Sequence, residues 1–167
     1  MFTHQQDLEH LQLALEQARK SESEGGIPIG AALVHKSGKV LSVGHNCRVQ
    51  KASMTLHAEM NALENLGRPD PSQGGVRILR ECTMYTTLSP CIMCSATCSL
   101  YQIPRVVLGE NDSFVGGETF LKERGVEVIN LQSEECKEMM QNWIEGKGKT
   151  IWWEDIGLDE SEKPGRA

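Results

Sequence analysis

Four side chains in two short stretches could build a reactive metal centre: His57 and Glu59 in His57-Ala58-Glu59, and Cys91 and Cys94 in Pro90-Cys91-Ile92-Met93-Cys94. Imidazole nitrogen and thiolate sulfur are the donors zinc prefers, although iron can occupy such sites. Three protein ligands leave the fourth position of a tetrahedral ion open, which marks a catalytic rather than a closed structural site. An ion held in this way makes water a nucleophile at neutral pH. Glu59 is then left over for moving protons.

The elements that position these groups follow from local physics. Cys91 and Cys94 are three apart, so on a helix both sulfurs reach one point. Pro90 is expected in the first helical turn, where a missing N–H costs nothing. The positive end of that helix then favours thiolates. His57 is expected at the start of the preceding helix. Glu59, two residues on, does not share the His57 direction, which suits a carboxylate beside the ion instead of on it. The competing reading is a structural zinc knuckle, but such sites bring a second CxxC or CxxH pair, and the sequence has none. Cys98, four residues after Cys94, could close the metal shell; lying one turn further along, it is expected to be a core thiol.

Apolar spacing predicts helices over 7–24, 57–66, 91–101, 117–124, 133–144 and 152–156. Strands are expected at 29–34, 40–43, 83–88, 106–109 and 126–131, the first two joined by a turn at Lys36-Ser37-Gly38-Lys39. Residues 67–75, with two prolines, read as a loop. A hairpin followed by alternating strands and helices implies an α/β domain with a mixed central sheet covered on both faces.

Length and composition bound the function. The chain has 167 residues, enough for one domain, with 39% hydrophobic and 24% charged residues. Residues 1–158 are expected to form that domain and 159–167 a polar tail. A net charge of −6 argues against a polynucleotide partner, since phosphate neutralisation drives such binding. Lys147-Gly148-Lys149 is the one small basic cluster and reads as a solvated loop. No apolar run is long enough for a membrane span, and the N-terminal residues lack the pattern of a signal peptide. A cytoplasmic, reducing setting is therefore expected, with the six cysteines as ligands or buried thiols.

Beyond the metal residues, the chain resembles the cytidine deaminase superfamily, and within it the fungal type of cytosine deaminase. His-x-Glu with Pro-Cys-x-x-Cys is the general signature of zinc deaminases. The resemblance extends from about residue 8 to 158, through Gly25-Gly26-Ile27-Pro28-Ile29-Gly30, Gly44-His45-Asn46, Thr55-Leu56-His57 and Leu63-Glu64-Asn65. It continues through Met84-Tyr85-Thr86-Thr87-Leu88-Ser89-Pro90-Cys91, Ile103-Pro104-Arg105 and Gly109-Glu110-Asn111, and ends on Trp152 and Glu154-Asp155-Ile156-Gly157.

The resemblance implies a homodimeric α/β/α sandwich around a five-stranded mixed sheet, one Zn2+ per subunit, and conversion of cytosine to uracil and ammonia in pyrimidine salvage. It implies His57, Cys91 and Cys94 as ligands and Glu59 as the proton shuttle. It places Asn46 and Asp155 on the base edge, Phe114 and Trp152 over the pocket, and Ile29 and Leu88 as its floor and wall. Ala58 and Ser89 are expected to touch substrate as well. Ala58 stands where the fungal type has glycine, and Ile92 where it has an acidic residue; the loop at 69–75 is longer. Three alternatives stay open: a deaminase of guanine or another cyclic amidine, an RNA-editing adenosine deaminase, and a zinc-stabilised binding module without turnover.

Overall fold

The computed structural model describes residues 2–157, so Leu158 and the expected polar tail at 159–167 lie outside the described residues. The elements run α1 (His4–Ser23), β1 (Gly30–His35), β2 (Val40–His45), α2 (Ala58–Leu66), β3 (Cys82–Leu88), α3 (Ile92–Leu100), β4 (Arg105–Glu110), α4 (Glu118–Glu123), β5 (Glu127–Asn130), α5 (Glu134–Glu145) and α6 (Lys149–Asp155). Every expected helix and strand is present. The segment read as loop carries two 3-10 turns, Pro71–Gln73 and Gly75–Glu81.

Helix α1 begins earlier than its apolar stripe, because Thr3 caps it. Thr3 Oγ1 accepts from the Gln6 N–H and Gln6 Oε1 accepts from the Thr3 N–H, a reciprocal capping box. Helix α6 also starts before its tryptophans, at Lys149.

The sheet has the order β2-β1-β3-β4-β5. β1 is antiparallel to β2 and β3, while β3, β4 and β5 run parallel. The sheet is therefore mixed, as expected. Strand alternation sorts its side chains into two cores. Ala31, Leu33, Met84 and Val106 pack with Ala62 and Cys98 of α2 and α3 and Leu121 of α4. Ala32, Val34, Tyr85 and Val107 pack with Leu11, Ala14 and Leu15 of α1 and Cys136 of α5. This is the α/β/α sandwich.

Two glycines set how closely the layers approach. A Cβ on Gly30 would stand 1.9 Å from the Ala14 carbonyl oxygen, so α1 lies directly on β1. A Cβ on Gly44 would stand 2.2 Å from the Ala62 nitrogen, so α2 lies directly on β2. The second contact sets the depth at which His57 and Glu59 enter the molecule.

A buried ionic knot ties α1 to β3 and β4 on the face of the sheet that it covers. Arg105 donates two 2.7 Å hydrogen bonds to the carboxylate of Asp7, and the Tyr85 hydroxyl donates a third of 2.7 Å. Burial opposes ionisation of Asp7, but these donors outweigh it and hold the carboxyl below its usual range. Among the described residues no helix is long and apolar enough to cross a membrane.

Candidate active site

Four chain segments meet at one end of the sheet: the carboxyl ends of β2, β3 and β4, and the amino end of antiparallel β1. Sites in open α/β sheets form there, where loops leave the strands. His57 and Cys91 are the N-cap residues of α2 and α3, each with extended backbone and neither capping its helix with its side chain. Pro90 is thus not in the first turn, contrary to expectation. It precedes the cap, where its carbonyl accepts from the Gly117 N–H at 2.7 Å and the Ser95 hydroxyl at 3.2 Å.

The donor atoms of His57, Cys91 and Cys94 all lie within 4.8 Å of one another. His57 Nδ1 is 3.5 Å from Cys91 Sγ. Cys98 is not part of this cluster. It is fully buried among apolar side chains, and burial pushes its thiol up to about 12.

Electrostatics favour a cation here. The hydrogen bond from the Cys94 thiol holds Cys91 well below the ordinary thiol range, at about 4, with His57 adding to the effect. The same bond, together with burial, pushes Cys94 upward. Burial works against protonating His57, but its hydrogen bond to Cys91 and the charge of Glu59 raise it overall. One imidazole and two closely spaced sulfurs at two helix N-termini fit a zinc ion with about 2.0–2.3 Å bonds.

Glu59 is buried, only 4% exposed. The Thr86 hydroxyl lies 3.3 Å from its Oε1. Desolvation raises its pKa, against the opposing charge of His57. A carboxyl raised by burial is suited to exchange protons near neutrality.

These groups face a cavity of about 50 Å3. Its wall contains Asn46, Ile29, Leu88, Ser89, Phe114, Trp152 and Asp155, together with His57, Glu59 and Cys91. Cys94 and Ala58 do not line it. Cys94 sits behind the wall, and the Ala58 methyl is fully buried in the apolar core. What Ala58 can offer is its backbone N–H in the first turn of α2, which has no intrahelical acceptor.

The edge groups are oriented. Asn46 Oδ1 accepts from the Arg48 N–H at 3.0 Å, which leaves its Nδ2 donors for the cavity. Asp155 Oδ1 is 3.1 Å from an Arg48 guanidinium nitrogen, while Oδ2 is buried and has no partner among the described residues. Phe114 and Trp152 meet edge to face, with ring centroids 6.2 Å apart. Trp153 packs against the same apolar cluster without lining the cavity. The Ser89 hydroxyl is fully used: it donates to Glu118 Oε1 at 2.8 Å and accepts from the Gly116 N–H at 3.0 Å. The Ser89 side chain therefore braces the loop that carries Phe114, and its backbone N–H is bonded to the Glu110 carbonyl at 2.9 Å.

Arg48, Ile27 and Ile156 also line the cavity, and sequence reasoning missed all three. Each lies within two residues of an expected site residue, Ile27 before Ile29, Arg48 after Asn46 and Ile156 after Asp155, but the pairing of Arg48 with Asp155 spans 107 residues and has no local signal.

Residues 4–110 match the family model of the cytidine and deoxycytidylate deaminase zinc-binding region. The chain belongs to this family. It is a zinc-dependent hydrolytic deaminase of the fungal type. It is 50% identical over 151 residues to the cytosine deaminase of Candida albicans, spanning 90% of this chain and 97% of that protein. It is 32% identical to a tRNA-specific adenosine deaminase of Streptococcus pyogenes serotype M18, over 80% of this chain and 87% of the relative. Among solved structures, a tRNA:A34 deaminase superposes with a TM-score of 0.67 at 28% identity, over 79% of this chain and 99% of that one. Guanine deaminase from Nitrosomonas europaea gives 0.66 at 21% identity, over 80% and 82% of the two chains, and shares the fold.

Proposed function

We propose that this deaminase converts free cytosine to uracil and ammonia, with His57, Cys91 and Cys94 as zinc ligands, in one domain spanning residues 1–158. The observation that carries the reading is a small cavity with a buried carboxyl, Glu59, beside the ligand cluster and two polar edge groups, Asn46 and Asp155, on its wall. The 50% identity to a cytosine deaminase supports the choice of base.

Bound zinc supplies a water acidified to near neutrality. Glu59 takes a proton from the attacking water and delivers it to the ring nitrogen next to the carbon under attack. It then carries the second proton to the departing amino group, so that ammonia leaves instead of hydroxide. Asn46 donates to the ring carbonyl through Nδ2, and Asp155 Oδ2 accepts from a ring N–H or amino group. Phe114, Trp152, Ile29 and Leu88 enclose the flat ring and exclude bulk water.

We further infer a cytoplasmic homodimer in pyrimidine salvage that does not bind nucleic acid. The net charge of −6 supports the last point. A groove of about 510 Å3 lined by Met60, Leu63, Leu66, Val76 and Tyr101, near the exposed Leu100, supports a self-association face. A sedimentation mass of one chain would rule the dimer out.

The deciding experiment measures ammonia release by the zinc-loaded protein from cytosine, with cytidine, guanine and adenosine in parallel. Preference for cytosine is expected. Turnover of another heterocycle alone would move the error to Asn46 and Asp155 and spare the Glu59 chemistry.

A further inference from the structure

We infer that the Arg48 side chain is a positioning group that orients the Asp155 carboxylate and latches α6 over the cavity. The inference rests on the cytosine reading of Asn46 and Asp155. Arg48 reaches four acceptors from four different nitrogens. Its backbone N–H donates to Asn46 Oδ1 at 3.0 Å. One guanidinium nitrogen donates to the Asp155 carbonyl at 3.0 Å, and the other lies 3.1 Å from Asp155 Oδ1. Its Nε also reaches the Ser53 carbonyl at 3.4 Å, which steadies the side chain from the far side.

The contact is sheltered, with side-chain exposures of 11% for Arg48 and 18% for Asp155. It therefore escapes most of the screening that makes surface ion pairs worth little. By occupying Oδ1, Arg48 orients the carboxylate so that Oδ2 is the free acceptor, and Oδ2 is the buried oxygen without a partner among the described residues. The guanidinium also sits at the carboxyl end of α6, where a cation satisfies a terminal carbonyl and opposes the helix dipole. Alongside this contact, the apolar cluster of Ile27, Met140, Trp143 and Trp152 holds α6. Apolar packing resists separation but is non-directional; the fork of Arg48 supplies direction. Arg48 further opposes the effect of burial on Asp155, whose pKa is raised by desolvation.

The test is steady-state cytosine deamination by zinc-loaded Arg48→Met and Arg48→Lys, alone and combined with Asp155→Ala. Arg48→Met is expected to raise KM about tenfold while kcat changes less than about threefold. Lysine should recover only part, because one ammonium cannot serve carboxylate and carbonyl in a fixed fork. In the Asp155→Ala background, Arg48→Met should change kcat/KM clearly less than it does in wild type, because only the bond to the residue-155 carbonyl is left to lose. Amide exchange over residues 149–157 should quicken in Arg48→Met without substrate, which reads the latch separately. Unchanged KM, a full Arg48→Met effect persisting without Asp155, or unaltered exchange would each overturn the inference while leaving cytosine turnover standing. A wild-type protein inert on cytosine would overturn the reading itself and this inference with it.

Discussion

His57 and Cys91 face each other from the N-caps of two different helices, Nδ1 to Sγ 3.5 Å apart, and neither side chain caps the helix it begins. N-cap positions favour Ser, Thr, Asp and Asn, whose oxygens satisfy the free N–H groups of the first turn. Both residues forgo that stabilisation. In exchange, two helix N-termini direct their positive ends at one point and favour thiolate there.

Cys91→Ser separates ligand from cap. A serine hydroxyl is a good cap and a poor zinc ligand. The variant should lose zinc and deaminase activity. Its metal-free form should be as stable as metal-free wild type, or more stable by up to ~1 kcal/mol. Urea unfolding of both proteins in the presence of a chelator measures this; a large loss of apo stability would contradict the account of the cap.

Glu59→Gln keeps the shape of the side chain and removes its proton transfer. Zinc content should remain one ion per chain, with kcat lower by about 10²–10⁴ and a smaller change in KM. Metal analysis alongside ammonia release decides it. Full turnover would remove Glu59 from the mechanism.

Cys98→Ala should bind zinc as well as wild type, because the Cys98 thiol packs in the core and not in the ligand cluster. A stability loss of about 1 kcal/mol, from lost packing, is expected. Loss of zinc in this variant would make Cys98 a ligand.

Asp7 should give the protein an acid-sensitive limb. Its pKa in the folded state is lowered below its ordinary value of 3.8. Its contribution to stability is therefore complete above that unfolded value and is lost as pH falls through the folded one. Urea midpoints measured from pH ~6 down to pH ~2 should fall steeply at the acid end for wild type. Asp7→Asn should flatten that limb and destabilise the protein at neutral pH by less than the about 3–5 kcal/mol of a fully unpaired buried charge, since Arg105 keeps its 2.8 Å pair with the partly exposed Glu127. A wild-type acid limb that persists unchanged in Asp7→Asn would assign it to other carboxylates.

The ligand set was legible in the sequence because its decisive spacings are short. Cys91 and Cys94 are joined by a single helical turn, and Glu59 follows His57 by two residues, so local geometry alone limits where their side chains point. The continuous apolar run Ala31-Ala32-Leu33-Val34 likewise announces a strand buried on both faces. Local pattern misplaced Pro90 because the carbonyl that holds it outside the helix bonds to Gly117 and Ser95, and nothing in Pro-Cys-x-x-Cys reports that.

Composition and motif alone determined the kind of chemistry: three soft or borderline ligands, one carboxyl free to move protons, and a domain large enough to bury them. Only the tertiary structure decided which groups surround that chemistry. Arg48 meets Asp155 across 107 residues, and Ser89 meets Glu118 across 29. Arg105 joins Asp7 across 98. Such contacts depend on the strand order β2-β1-β3-β4-β5 and on α6 folding back over the sheet's end. Periodicity fixes which face a residue takes within its own element, but packing between elements fixes which face meets which, and that is where the cavity and its gripping edge arise.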